Sequence, residues 1–315
     1  MYGQFFILFG LILVGYYCNK KGYLPMETNK NVGSMVMRVT IPAMLLTTIA
    51  GIEITDRVLK EFFFSAAGQA AMMIGFGFLM RLYGKKRGLD SRLLPMLDLT
   101  TGSLNTGFIG LPVTMIFFGQ AGILYMSAGV LALNLYIWTY GVYIISDKRA
   151  ESPAAVGKVF LQGAVNPNCI SILFGLFLAV THTARFVPQT LLGFLTKVGD
   201  LSTPLSLIYI GAWAGGSGIG QLFKEKTALE ISVIKMLGMP ALAILAMRFI
   251  PADALAKSVF LLSVCMPSAA VVPMMVGRYG YGDKMSSDIV LWTTILSMAT
   301  LPLSVLLAAR LYGIA

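Results

Sequence analysis

Charge is scarce in this chain. Asp, Glu, Lys and Arg make up 12% of its 315 residues, against 57% hydrophobic residues. A soluble domain carries about 25% charged residues. Half that supply cannot cover a water-facing surface, so most of the exterior is expected to face lipid. Histidine is scarcer still, with His182 alone in a polar loop. One loop histidine cannot build a Ser/His/Asp triad or an HExxH zinc site. The cysteines, Cys18, Cys169 and Cys265, lie far apart inside apolar runs, without zinc, haem or dithiol spacing. No Walker A sequence occurs. Gly215 to Gly220 misses the G-x-G-x-x-G register, follows no strand and reads as a linker. No enzyme activity, cofactor or metal is expected.

The net charge of +10 does not point to nucleic acid. Its cations form no face; they punctuate short loops, as Lys20 and Lys21, Lys85 to Arg87, Lys148 and Arg149, and Lys224 and Lys226. That is the pattern of membrane topology. The first apolar run has its cations after it, not before it, and reads as a retained helix instead of a signal peptide.

What the chain has in quantity is long apolar runs, with 33 Gly and 19 Met among them. A span needs about 20 apolar residues. The pattern predicts an all-α membrane protein with ten transmembrane helices, at 3–18, 32–52, 62–83, 93–118, 122–146, 160–181, 189–213, 227–250, 254–276 and 286–312. The longest hydrophilic link, Ser146 to Lys158, divides it into a first five-helix repeat, 1–150, and a second, 151–315. Lys and Arg concentrate in the loops that lie inside when both termini are outside.

Two halves of five spans insert with opposite orientation, so an inverted repeat is expected. One offset of 161 residues carries Pro112 onto Pro273 and Gly119 onto Gly280. Val32-Gly33 with Pro42 and Val198-Gly199 with Pro204 agree more loosely. Gly/Pro-interrupted segments in matching positions of two halves point to a transport site.

Helix 4 contains Thr100-Thr-Gly-Ser-Leu-Asn-Thr-Gly-Phe-Ile-Gly-Leu-Pro112. Pro112 removes a backbone bond and clashes with the carbonyl of Phe108, so an opening is expected over Asn105 to Gly110. Exposed backbone groups cannot face hydrocarbon and must line a cavity or be buried in protein. Helix 9 repeats the device with Pro267-Ser-Ala-Ala-Val-Val-Pro273. Where broken helices cross, half-helix N-termini offer N–H groups and about half a positive charge each. The expected anion site is Asn105, Thr106, Gly107, Gly110, Pro112, Pro267 and Ser268; the alternative is a pair of packing kinks. Asn134 in helix 5 is either a neutral amide for a carboxylate or an interhelical packing bond. Asp98 and Lys235 are candidates for proton or ion coupling, or partners in an ion pair, with Arg38 a further partner for Asp98 unless it snorkels.

These residues resemble the auxin efflux carrier family over nearly the whole chain. The most specific parts are Asn105-Thr-Gly-Phe-Ile-Gly-Leu-Pro112 and Asn166-Pro-Asn168. Supporting parts are Ile41-Pro-Ala-Met-Leu-Leu46, Val198-Gly-Asp-Leu-Ser-Thr-Pro204, Pro267 with Pro273, and Leu301-Pro302. The resemblance implies a ten-helix inverted repeat similar to bile acid symporters and sodium/proton antiporters. Helices 1, 2, 6 and 7 would form a scaffold, and helices 3–5 and 8–10 a moving transport group carrying the crossover of helices 4 and 9. It carries substrate contacts over to Asn105, Pro112, Pro267 and Asn134, which falls four residues before Trp138. The long central loop of plant members is missing here, so regulation through it is not expected.

The function expected is a secondary carrier of a small organic anion, a carboxylate such as a dicarboxylate or an auxin-like acid, in a bacterial inner membrane. Coupling to a proton or sodium and a homodimer are left open. The alternative is sodium-coupled symport of a larger anion, with a channel or receptor as a different class.

Overall fold

The fold is taken from a computed structural model and is described for residues 2–145, 165–216, 225–247, 252–278 and 283–313. The proposed boundary at 150, the link from Ser146 to Lys158, and Gly280 lie outside the described residues. Among those described, regular structure is entirely helical. The helices are α1 (Tyr2–Lys20), α2 (Met26–Met35), α3 (Ile41–Ala50), α4 (Asp56–Lys86), α5 (Leu94–Gly102), α6 (Leu111–Leu135) and α7 (Val142–Ile145) in the first half. The second half has α8 (Pro167–Val180), α9 (Gln189–Asp200), α10 (Ser202–Gly216), α11 (Lys226–Met247), α12 (Ala254–Val264), α13 (Val271–Arg278) and α14 (Asp283–Tyr312).

Among the described residues, five helical segments are long and apolar enough to cross a membrane: Met26–Ala50, Asp56–Lys86, Leu94–Ile145, Lys226–Met247 and Lys284–Tyr312. The third is bent back at Gly119, whose φ of 63° is left-handed and natural only to glycine. Large apolar side chains remain exposed on the outer helices, among them Phe6, Phe78, Phe177 and Leu237. In contrast, every residue of α5 is buried. A helix sheltered on all sides can carry Thr100, Thr101 and Asp98 only because protein, not lipid, surrounds it.

Proline organises the interruptions. Pro42, Pro112, Pro204 and Pro273 each fall within the first three residues of a helix that follows a break or a loosened turn. A first-turn proline is favourable, because the N–H it lacks would have no intrahelical partner there. Before Pro42 and Pro112 the chain winds as a π turn, Val36–Thr40 and Thr106–Gly110. In the second of these, the Gly110 amide donates to the Asn105 carbonyl at 3.0 Å, five residues back. The wider turn makes room for the ring. The expected opening over Asn105 to Gly110 is therefore corrected. The true break is Ser103 to Asn105, with Ser103 at ψ 147° and Asn105 at ψ 60°, and Pro112 belongs to the restart.

Packing then gathers the elements. α1 lies against α10, with Gly15 facing the Ile208 carbonyl and Gly211 the Ile12 carbonyl. Such small residues let two membrane helices approach closely. α3 packs on α8 and α9, and α11 on α14. Asn166 and Pro167 start α8 together: the Asn166 side chain accepts from the Cys169 amide at 3.0 Å, and Pro167 takes the first helical position.

Candidate functional site

Two interrupted helices meet inside the protein. The first interruption lies between α5 and the π turn at Thr106; the second is Cys265 to Ala270, between α12 and α13. The Asn105 amide donates to the Pro267 carbonyl at 2.8 Å, and the Ala269 amide donates to Ser103 Oγ at 3.1 Å. Ser103 Oγ in turn donates to the Thr100 carbonyl at 2.9 Å, and the Ser268 amide donates to Thr293 Oγ1 at 3.1 Å. The Thr100 carbonyl is one that α5 leaves unpaired by stopping short, and the other three bonds engage amides of the breaks themselves. The amides of Asn105, Ser268 and Ala269 are thus already engaged, so the breaks are less bare than expected. Gly107 and Phe108 remain at the head of the restarted helix, where first-turn amides face the interruption.

A narrow cavity borders this junction. Its walls are Asn105, Phe108, Ile109, Ala270, Val290 and Thr294 on one side and Tyr209, Ile210 and Trp213 on the other. Phe108 stacks on Tyr209 with ring centroids 5.0 Å apart. The Asn105 side chain makes no hydrogen bond among the described residues and borders this space. An amide left unengaged beside a cavity is available to a solute. A narrow apolar cavity shares Ile109, Ile210 and Thr294 and continues toward Leu8, Phe9 and Pro302.

The other predicted residues divide. Ser268 and Pro267 sit in the second break, and Thr106 is buried at the head of the restart with its hydroxyl unpartnered. Gly107 has room, since a Cβ there would meet Met37 first, at 3.7 Å. Gly110 instead packs: a Cβ there would meet Met126 Sδ at 2.8 Å. Pro112 is buried in the first turn of α6. Asn134 does not line the cavity; it accepts from Asn166 Nδ2 at 2.8 Å and donates to the Val130 carbonyl at 2.8 Å. This is the interhelical bond named above as its alternative role.

Asp98 and Lys235 do not pair with each other, and Arg38 reaches neither. Asp98 Oδ2 accepts from the Tyr140 hydroxyl at 2.8 Å and faces Arg81 at 3.9 Å. Lys235 donates to the Ser103 carbonyl and to Ser268 Oγ. Sequence reasoning missed this position of Lys235, the aromatic wall of Phe108, Tyr209 and Trp213, and the pinning role of Thr293. Only the expense of burying an ammonium marked Lys235; nothing local marks Tyr209 as a neighbour of helix 4.

A model of the family described as membrane transport protein matches residues 1–305. The chain belongs to this family, the auxin efflux carriers. Two archaeal relatives have the same character. An uncharacterized transporter of Methanothermobacter thermautotrophicus is 24% identical over 296 residues, 93% of each chain. One of Methanocaldococcus jannaschii is 24% identical over 300 residues, covering 93% of this chain and 94% of its own. Family membership and several long apolar helices make this a membrane-embedded protein of a transporter family. Among the described residues no group of three or more His, Cys, Asp or Glu gathers to hold a metal.

Proposed function

We propose that this protein is a secondary carrier that moves a small organic anion, a carboxylate such as a dicarboxylate or an auxin-like acid, by alternating access. The observation that carries the reading is the junction of two interrupted helices beside a cavity, with the side-chain amide of Asn105 unengaged. Helix N-termini favour negative charge, and the two restarts, at Thr106 and Val271, bring two of them to one locality.

In this reading the helices make ten spans: α1, α2 with α3, α4, α5 with α6 to Gly119, the remainder of α6 with α7, α8, α9 with α10, α11, α12 with α13, and α14. The matched first-turn prolines support a five-plus-five inverted repeat. The ion pairs support a division into scaffold and transport groups. Arg57–Asp253, Arg81–Asp98, Arg87–Glu230 and Lys284–Glu225 all join elements of the transport group, helices 3–5 and 8–10. The bond from Asn134 to Asn166 and the Phe108–Tyr209 stack cross to the scaffold, and these exchange when one group slides on the other. A polar recess lined by Thr47, Thr48, Gln120, Thr196, Asp200 and Thr203 forms the outer vestibule if both termini are outside, in a bacterial inner membrane. Asp98 is the candidate carrier of a coupling proton.

The test is a thermal-shift panel of mono- and dicarboxylates on purified protein, followed by flux of the stabilising acid in proteoliposomes. A ligand at 100 times its Kd stabilises the folded state by about 2.7 kcal/mol. Asn105→Ala is expected to insert normally and to lose both the shift and the flux. Wild-type flux in that variant removes the assigned site.

A further inference from the structure

Lys235 is 1% exposed, lies in the middle of α11, and has no carboxylate within ion-pair reach among the described residues. A buried ammonium without an anion needs oxygen ligands instead. It has them at one particular place. Its Nζ donates to the Ser103 carbonyl and to Ser268 Oγ, the latter at 2.8 Å, one ligand from each helix break. Ser103 is the C-cap of α5, and Ser268 follows the end of α12. Helix C-termini present carbonyl oxygens and the negative end of the helix dipole. Carbonyls of unwound helices and half-helix C-termini are the groups that hold monovalent cations inside membrane carriers.

We propose that the point between the two breaks is a monovalent-cation site, and that this chain fills it with its own tethered ammonium. Lys235 holds the C-terminal ends of α5 and α12 together from behind, while the restarted helices face the cavity in front. The consequence for transport rests on the crossover being the substrate site. A carrier with a resident cation needs no free sodium at this position, and its fixed positive charge helps draw an anion to the neighbouring cavity.

Truncating Lys235 to alanine removes the ammonium with most of its stem and leaves the two oxygen ligands in place. Melting is compared in chloride salts of sodium, potassium, n-propylammonium and N-methylglucamine at equal ionic strength. The wild type is expected to melt at one temperature in all four. Lys235→Ala is expected to melt lower and to recover by about 3 °C, saturably, in sodium or n-propylammonium. Adding Ser268→Ala should abolish that recovery, and Lys235→Met, which fills the space with apolar atoms, should show none. If Lys235→Ala is unstable in plain buffer, purification in n-propylammonium chloride should yield folded protein. A specific sodium response of the wild type overturns the proposal. So does a Lys235→Ala variant that responds to the salts no differently from Lys235→Met, or one that stays unfolded in every salt. No carboxylate enters this test, so its failure leaves the anion reading standing, and failure of the carboxylate panel leaves the cation site standing.

Discussion

Asp98 is fully buried, and its two oxygens fare differently. Oδ2 receives the Tyr140 hydroxyl at 2.8 Å, whereas Oδ1 has no hydrogen-bond partner among the described residues. Arg81 stands at 3.9 Å with 39% of its side chain exposed, so solvent screens most of that attraction. The tyrosine should therefore matter more than the arginine. Tyr140→Phe leaves a buried carboxylate without its direct donor and is expected to destabilise by about 2 kcal/mol. Arg81→Ala is expected to cost less than about 1 kcal/mol. Denaturant unfolding in detergent measures both, and an arginine effect exceeding the tyrosine effect would contradict this account. The expense of Asp98 was legible in the sequence, because a carboxylate inside an apolar run is conspicuous. Its partner was not. Arg81 lies on another helix, and Tyr136 and Tyr140, stacked at 5.4 Å, look in sequence like ordinary aromatic packing. Pairing Asp98 with Lys235 or Arg38 failed because charge alone gives no direction in space.

At the scale of the element, proline marks where a membrane helix restarts, and the stop is decided elsewhere. The existence of breaks in helices 4 and 9 was readable from Pro112, Pro267 and Pro273. The position of the first was displaced toward Ser103 because its energetics depend on Pro267 and Ala269, more than 160 residues away. A local rule cannot contain those bonds. This gives opposite expectations for two conspicuous residues. Pro112→Ala, in a turn already widened to receive the ring, is expected to change stability by no more than about 1 kcal/mol. Gly211→Leu sets a side chain against the Ile12 backbone at the closest approach of α1 and α10. Backbone cannot yield as a side-chain tip can, so that variant is expected to lose more than about 3 kcal/mol or fail to assemble. Melting of the two purified variants decides it; equal tolerance at both positions would mean that α1 and α10 are not held as described.

For the molecule as a whole, the question is which contacts must break for the cavity to change sides. Tight interior packing is bistable, so a moving group travels as a body with its internal ties intact. Arg57 and Asp253 tie α4 to the start of α12 within the proposed moving group. Asn134 and Asn166 instead bond α6 to the cap of α8 across the proposed boundary. The division into two groups was suggested by family likeness; the distribution of these polar ties is a tertiary fact that no single segment reveals. Cysteine pairs separate the two kinds of contact. Cys169 is first replaced by alanine, because its sulfur lies 3.3 Å from Asn166 Nδ2 and would compete for the crosslink. Asn134→Cys with Asn166→Cys, once oxidised, should then stop flux of the carboxylate found by the thermal-shift panel, and reduction should restore it. Arg57→Cys with Asp253→Cys, oxidised in the same way, should leave flux within about twofold of its reduced value, because a tie inside a rigid body opposes no motion. Full flux through the oxidised Asn134/Asn166 pair would mean that α6 and α8 never part, and the sliding boundary would have to be drawn elsewhere.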